Sequence, residues 1–234
     1  MANMQISVII PCLNEARTIE RSIRFAEEGI GATGLIGEVL IADNGSSDGS
    51  VEIAGSCGAR VIHSSIRGYG ATLHEGIMAS YAGIVAFADA DLSYDFRELK
   101  KIVTPIVNGK ADLVLGSRFN TTMEPGAMSW INRCFGTPFL SFLIRLLFGL
   151  KTTDCNSGMR AISRECYLKL KMESHGMEYA SEMLAKAGLL SLRYMDIPIT
   201  FHKDERGRSS HLRRWRDGFK HLGVILKLRI VSLA

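Results

Sequence analysis

Through the first 118 residues, short apolar runs alternate with stretches of helical spacing. Residues 5–11 (QISVIIP) are β-branched and apolar and end in a proline that stops the run. Residues 14–28 repeat Ile19, Ile23 and Ala26 at helical intervals. The same reading predicts strands at 38–43, 60–63, 84–88 and 112–116, with helices at 48–57, 69–81 and 96–107. Strands this apolar are covered on both faces, so the pattern predicts an α/β fold with a mainly parallel sheet between two helical layers. Beyond residue 120 the order loosens. Thr137-Pro138 reads as an N-cap with proline at the first helical position, opening a helix to Phe148. Strands are expected at 158–163 and 193–201, and a helix at 178–188.

No repeat or linker interrupts the chain. We expect one domain over residues 1–211 and a basic amphipathic helix over 212–234. The net charge of +4 is concentrated in that tail, where residues 202–234 hold nine Lys or Arg against three Asp or Glu. Such a tail suits an anionic partner: phosphate, lipid head groups or nucleic acid. No nucleic-acid-binding motif accompanies it, so a nucleic acid is the disfavoured choice. Five cysteines, odd in number and without a CxxC pair, point to free buried thiols in a reducing cytoplasm. The most apolar window, 138–150, contains Arg145 and as a helix would cover roughly 20 Å, short of a ~30 Å hydrocarbon core. Peripheral docking on the cytoplasmic face is the expectation, with the apolar end at Ala234 compatible with truncation before membrane spans.

Polar clusters follow four of the predicted strands: 12–15, 43–48, 89–95 and 117–118. In an open parallel sheet all four fall on the carboxyl rim, where ligands bind. The triplet Asp89-Ala90-Asp91 carries the chemistry. Alternate residues of an extended segment point the same way, so these two carboxylates can share a divalent cation, against the plainer reading of two solvated loop acids. In Asp43 to Ser50 (DNGSSDGS), Asp43 is a candidate ligand contact and Asp48 a candidate helix cap.

The motifs SVIIPCLNEARTI, ADNGSSDGS, DADLSYDF and LGSR, in this order, resemble the family 2 glycosyltransferases of GT-A fold. The later DCNSGMRAIS, MEYASEMLAKA and RWRDGFKHL extend the resemblance to the branch of dolichyl-phosphate mannose synthases and polyprenyl-phosphate glucosyltransferases. The resemblance implies a metal-dependent, inverting transfer of a hexose from UDP-glucose or GDP-mannose to a polyprenyl phosphate at a membrane surface. It implies that Pro11, Leu13 and Glu15 flank the nucleotide and that Asp43 lies near its base. Asp89 and Asp91, with Ala90 between them, would hold Mg2+ or Mn2+ against the diphosphate. Arg118 would face a donor or acceptor phosphate, and Arg206 would close over the diphosphate as a bidentate cation.

Two departures stand out. Many relatives carry Gln where this chain has Ser93, a weaker third metal ligand. The late loop, usually Arg-x-x-Gly-x-Ser-Lys, has Asp204 in place of the Arg, with Arg206 or Lys203 as substitutes and Ser210 at its end. Asp154, Ser157 and Arg160 are acceptor-side candidates. Glu182, with Glu178 one turn before it, is the candidate base should the acceptor be a sugar hydroxyl, which must lose a proton. A phosphate monoester, with a second pKa of about 6, needs no such base. Transfer to a saccharide hydroxyl and a non-catalytic nucleotide-sugar-binding role are the alternatives. The apolar helix 139–148, with Trp130 and Arg133 before it and Trp215 and Phe219 on the tail, reads either as buried core or as an interfacial helix. Arg67-Gly68-Tyr69-Gly70 is glycine-rich but lacks the Lys-Ser/Thr of a P-loop. Residues 211–215 approximate the Gln-x-x-Arg-Trp of processive synthases but begin with His, and processivity is discounted.

Overall fold

The structure is a computed structural model that describes residues 4–119, 121–207 and 214–232. Seven strands form one sheet in the order β3-β2-β1-β4-β6-β5-β7. β1 (Ile6–Cys12), β2 (Gly37–Asp43), β3 (Arg60–His63) and β4 (Ile84–Phe87) are mutually parallel. β5 (Leu113–Ser117) and β7 (Tyr194–Pro198) pair in parallel, while β6 (Arg160–Ser163) runs antiparallel between β4 and β5. The sheet is therefore mainly parallel with one reversed strand, and the α/β expectation holds.

Alternation along the strands divides the core. Ile6, Val8 and Ile10 of β1 face α1 (Ile19–Thr33) and α4 (Leu99–Val107). Ile9, with Leu40 and Ala42 of β2, faces α3 (Tyr69–Ala79), and the same layer holds α5 (Thr137–Phe148) and α7 (Tyr179–Leu189). α2 (Ser50–Ser56) follows β2, α6 (Arg164–Leu170) follows β6, and α8 (Arg214–Val231) packs against α5 and α7. The expected boundary at 211/212 lies outside the described residues.

Three local expectations are corrected. α1 begins at Ile19 because Asn14 takes a left-handed φ of 57° and the Glu15 carbonyl accepts from both Thr18 and Ile19 amides, so the chain turns before it coils. Thr137 is not an N-cap: residues 132–136 already form a π-helical turn leading into α5, and the Thr137 hydroxyl accepts from the side-chain Nδ2 of Asn156 at 3.4 Å instead. α6 had no counterpart in the sequence reading; Ser163 caps it by accepting from the Cys166 amide. All five cysteines are free, but only Cys12 and Cys155 are buried, and Cys134 is exposed. No helix among the described residues is long and apolar enough to cross a membrane.

Candidate active site

The strand order reverses direction at β1, whose neighbours are β2 on one side and β4 on the other. In an open α/β sheet that switch point leaves a crevice at the carboxyl ends of the two diverging strands. A cleft of about 460 Å3 opens there. It is lined by Pro11, Cys12, Leu13 and Glu15 after β1, by Asp89, Ala90 and Asp91 after β4, and by Asn44, Arg67, Gly68, Tyr69 and Thr72. Gly176 and Met177 from the loop before α7, Arg206 from the late loop, and Arg216, Asp217 and Lys220 from α8 complete its walls.

Pro11, Leu13, Glu15, Asp89, Ala90, Asp91 and Arg206 thus share one cleft, as the sequence predicts. Asp91 is buried, and its Oδ1 accepts from the Ser93 amide at 3.0 Å and the Ser93 hydroxyl at 2.6 Å. Ser93 therefore spends its hydroxyl on orienting Asp91. The other Asp91 oxygen accepts from the Arg206 guanidinium, which lies 3.8 Å from Glu15. Asp89 is half-buried and forms no ion pair among the described residues. Burial pushes its carboxyl above the usual range, and a hydrogen bond with Tyr69 and the Arg206 and Arg118 charges pull it back only in part. An added Cβ on Gly158 would stand 3.0 Å from Asp89 Oδ2, so glycine leaves the room that this carboxylate occupies.

The loop after β1 is stitched to the loop after β2. Asn14 and Glu15 amides donate to Ser46 and Ser50 hydroxyls at 2.9 and 2.8 Å, and the Ala16 amide donates to Asp48 at 2.9 Å. Asp43 does not line the cleft. Its oxygens accept from the Gly45 and Ser46 amides at 3.0 and 3.1 Å, and it lies 3.4 Å from His63 Nδ1. Although burial opposes its charge, these bonds hold the carboxyl below the ordinary range. Asn44 takes the cleft position, accepting from the Gly68 amide at 3.0 Å and donating to the Ile66 carbonyl at 2.9 Å.

The remaining candidates do not line the cleft but sit behind its walls. Arg118 forms a fork on Asp154, Nε to Oδ2 at 2.8 Å and Nη2 to Oδ1 at 2.7 Å, and its amide donates to the same carboxylate at 2.9 Å. Asp154 is fully buried, so this guanidinium is committed to the interior rather than to a phosphate. Arg160, 1% exposed, donates to the carbonyls of Ser157, Ala180 and Cys155 at 3.0, 2.8 and 2.9 Å. The Ser157 hydroxyl donates to the Gly116 carbonyl at 2.5 Å. Glu182 accepts from the Glu173 and Ser174 amides at 2.8 and 2.7 Å and pairs with Lys186 at 2.6 Å. It braces the loop that presents Gly176 and Met177, and its carboxylate is not available as a base.

Sequence reasoning missed Asn44, Arg67, Tyr69, Arg216 and Lys220. The glycine-rich Arg67–Gly70 segment was the available signal. Its glycines admit the 174–176 backbone: a Cβ at Gly68, with φ of 136°, would lie 2.3 Å from the His175 carbonyl oxygen, and one at Gly70 would lie 2.6 Å from that of Ser174.

The family model for glycosyl transferase family 2 matches residues 7–170. The chain is 34% identical over 221 residues to the low-salt glycan biosynthesis hexosyltransferase Agl6 of Haloferax volcanii, covering 94% of this chain and 53% of that protein. It thus spans about half the length of that relative. It is 30% identical over 167 residues to the dolichyl-phosphate hexose transferase of the same organism, covering 71% of this chain and 70% of that one. The glucosyl-3-phosphoglycerate synthase of Mycobacterium tuberculosis in complex with UDP superimposes with a TM-score of 0.73 at 22% identity, over 97% of this chain and 81% of that one. Another structure of that synthase holds Mn2+, UDP-glucose and phosphoglyceric acid, with a TM-score of 0.72 and 22% identity over 97% of this chain and 80% of that one. The fold is the one these synthase structures have. The chain belongs to glycosyl transferase family 2.

Proposed function

We propose that this chain is a metal-dependent, inverting hexosyltransferase that uses a nucleotide-diphosphate sugar and delivers the hexose to the phosphate of a polyprenyl or dolichyl lipid. The observation that carries the reading is Asp89 and Asp91 facing one cleft at the β1/β4 switch point with Arg206 across them. The donor set fits the ion: two carboxylates are hard oxygen ligands of the kind Mg2+ and Mn2+ take. Among the described residues no third His, Cys, Asp or Glu joins them, so Asp89 and Asp91 would be the carboxylates that hold the ion, and diphosphate oxygens and water would have to fill the remaining positions. When bound, such an ion neutralises the charge that gathers on the departing diphosphate. Ser93 keeps Asp91 aimed, and Pro11 to Glu15 bracket the nucleotide. Arg206, within reach of Asp91 and Glu15, is placed to move onto the diphosphate and exclude water from it.

Two observations favour a lipid phosphate over a hydroxyl acceptor. First, Glu182, the candidate base, is consumed by three donors. Second, Ile131, Phe135, Phe139, Phe142 and Leu146 form one stripe along the π-helical turn and α5, and are 48–65% exposed. No acidic residue occurs between Glu124 and Asp154, whereas Arg133, Arg145 and Lys151 are exposed there. An apolar stripe flanked only by cations suits an anionic bilayer surface. Both earlier readings of α5 find support, because Leu140, Ile144 and Phe148 on its other side are core. The resemblance to the dolichyl-phosphate hexose transferase of Haloferax volcanii supports the same reading.

The test supplies radiolabelled UDP-glucose or GDP-mannose with Mn2+ and lipid extract, and follows label into an organic-extractable, acid-labile product. Transfer by the wild type that is lost in Asp91→Ala supports the reading. Label appearing only in water-soluble saccharide overturns the lipid acceptor.

A further inference from the structure

We propose that Arg216 and Lys220, on the first turns of α8, receive the phosphomonoester of the acceptor. This rests on the phosphate-acceptor reading above and assigns residues that it leaves open. Both residues line the cleft that holds Asp89, Asp91 and Arg206. Four positions apart on one helix, they lie on the same face one turn from each other, roughly 6 Å along the axis. The cations of the cleft divide by position. Arg206 is engaged with Asp91 and Glu15, the donor side. Arg67 belongs to the same side, with its guanidinium 3.7 Å from where a Gly45 Cβ would stand on the loop after β2. Arg216 forms no ion pair among the described residues, and the nearest acid to the Lys220 amine is Glu178 at 4.0 Å. Asp217 on the same helix also faces the cleft, which leaves the α8 wall net positive.

The wall is anchored. His221 and Ser181 share a buried hydrogen bond of 2.7 Å between α8 and α7, and Ile225 is fully buried one turn later. A fixed pair of cations one helical turn apart fits a dianionic phosphate, the dominant form above a second pKa of about 6. Held there, one phosphate oxygen faces the carboxylate side of the cleft. Its lone pair forms the new bond to the anomeric carbon as the carbon–oxygen bond to the diphosphate breaks. That electron pair leaves with the nucleoside diphosphate, so no proton has to be removed. A lipid phosphate and a soluble phosphate ester present the same group to these two side chains.

Steady-state kinetics of the full chain with Mn2+ and UDP-glucose or GDP-mannose test the assignment on two acceptors, farnesyl phosphate in detergent micelles and 3-phosphoglycerate in solution. Expected is a rise of at least tenfold in acceptor KM for R216Q/K220Q, with K220R within threefold of wild type and donor KM unchanged. The acceptor that turns over names the source of the phosphate. An acceptor KM for R216Q/K220Q within threefold of wild type overturns the assignment while the phosphate-acceptor reading stands. An equal rise in donor KM also overturns it, because the cleft as a whole has then changed. Wild-type enzyme that glycosylates a sugar hydroxyl and neither phosphate ester overturns the reading and the assignment together.

Discussion

Asp154→Ala removes the acceptor of three hydrogen bonds, two from the Arg118 fork and one from its amide. Asp154 is fully buried and the Arg118 side chain is 11% exposed, so the substitution strands a guanidinium away from water. Removing one partner of a buried ion pair costs about 3–5 kcal/mol, most of it the desolvation of the charge left behind. For a chain of this size each kcal/mol moves Tm by roughly 2–4 °C, so a fall on the order of 10 °C is expected. Replacing both partners, as in Arg118→Met with Asp154→Leu, removes the stranded charge and recovers much of that loss, since well-packed apolar pairs often match buried ion pairs. The assay is urea unfolding of both variants and of each single mutant, closed as a double-mutant cycle. Donor KM is measured alongside. Should Asp154→Ala cost under about 1 kcal/mol and raise donor or acceptor KM tenfold, Arg118 serves a phosphate after all and the structural assignment is refuted.

Two further outcomes follow from the packing and from the buried histidine. Gly70→Ala forces a Cβ to 2.6 Å from the Ser174 oxygen and 2.7 Å from Tyr179 Cβ; overpacking of this kind costs about 1–3 kcal/mol and displaces the 174–177 wall, so kcat/KM falls with stability in the same variant. A Gly70→Ala enzyme of wild-type stability contradicts the close approach. Burial pushes the His221 imidazole down to about 4, against the upward pull of Glu178 and Asp217. Its folded pKa lies below the unfolded value of about 6.5, so the unfolded state binds the extra proton between those values, and stability declines as pH falls from about 6.5 to 4. His221→Gln flattens that slope in urea titrations across the window; an unchanged slope refutes the assignment.

Much of the cleft proposed to take the donor was legible because it is local. A strand end followed by Asp-x-Asp brings both acids to the rim, although Ala90 and Asp91 lie in a turn beyond β4 and not in the extended segment that the spacing suggested, and the order of strands 1 to 4 places them beside Pro11 to Glu15. The burial of the acceptor-side candidates was not, because it is defined by partners far along the chain. Arg118 meets Asp154 across 36 residues, Arg160 meets the Ala180 carbonyl across 20, and neither spacing distinguishes a buried fork from a phosphate ligand. Glu182 was read as a base from its helical face, whereas the amides that consume it belong to a loop with no periodicity. The glycines at 68 and 70 were noticed for the wrong reason: the 174–176 backbone needs the space, a contact over a hundred residues distant. The antiparallel β6 escaped for the same cause, since strand direction is set by non-local pairing rather than by composition. The late-loop positions Ser209 and Ser210 lie outside the described residues.

The proposed function rests on a cation held between Asp89 and Asp91, and Mn2+ titration of the purified chain by calorimetry in the presence of UDP or GDP, for wild type and for D89N/D91N, probes that cation itself. Saturable, nucleotide-dependent binding is expected of the wild type, and for the double variant both loss of that binding and a fall in hexose transfer of at least a thousandfold. Undiminished Mn2+ affinity together with transfer within tenfold of wild type in D89N/D91N would contradict that function.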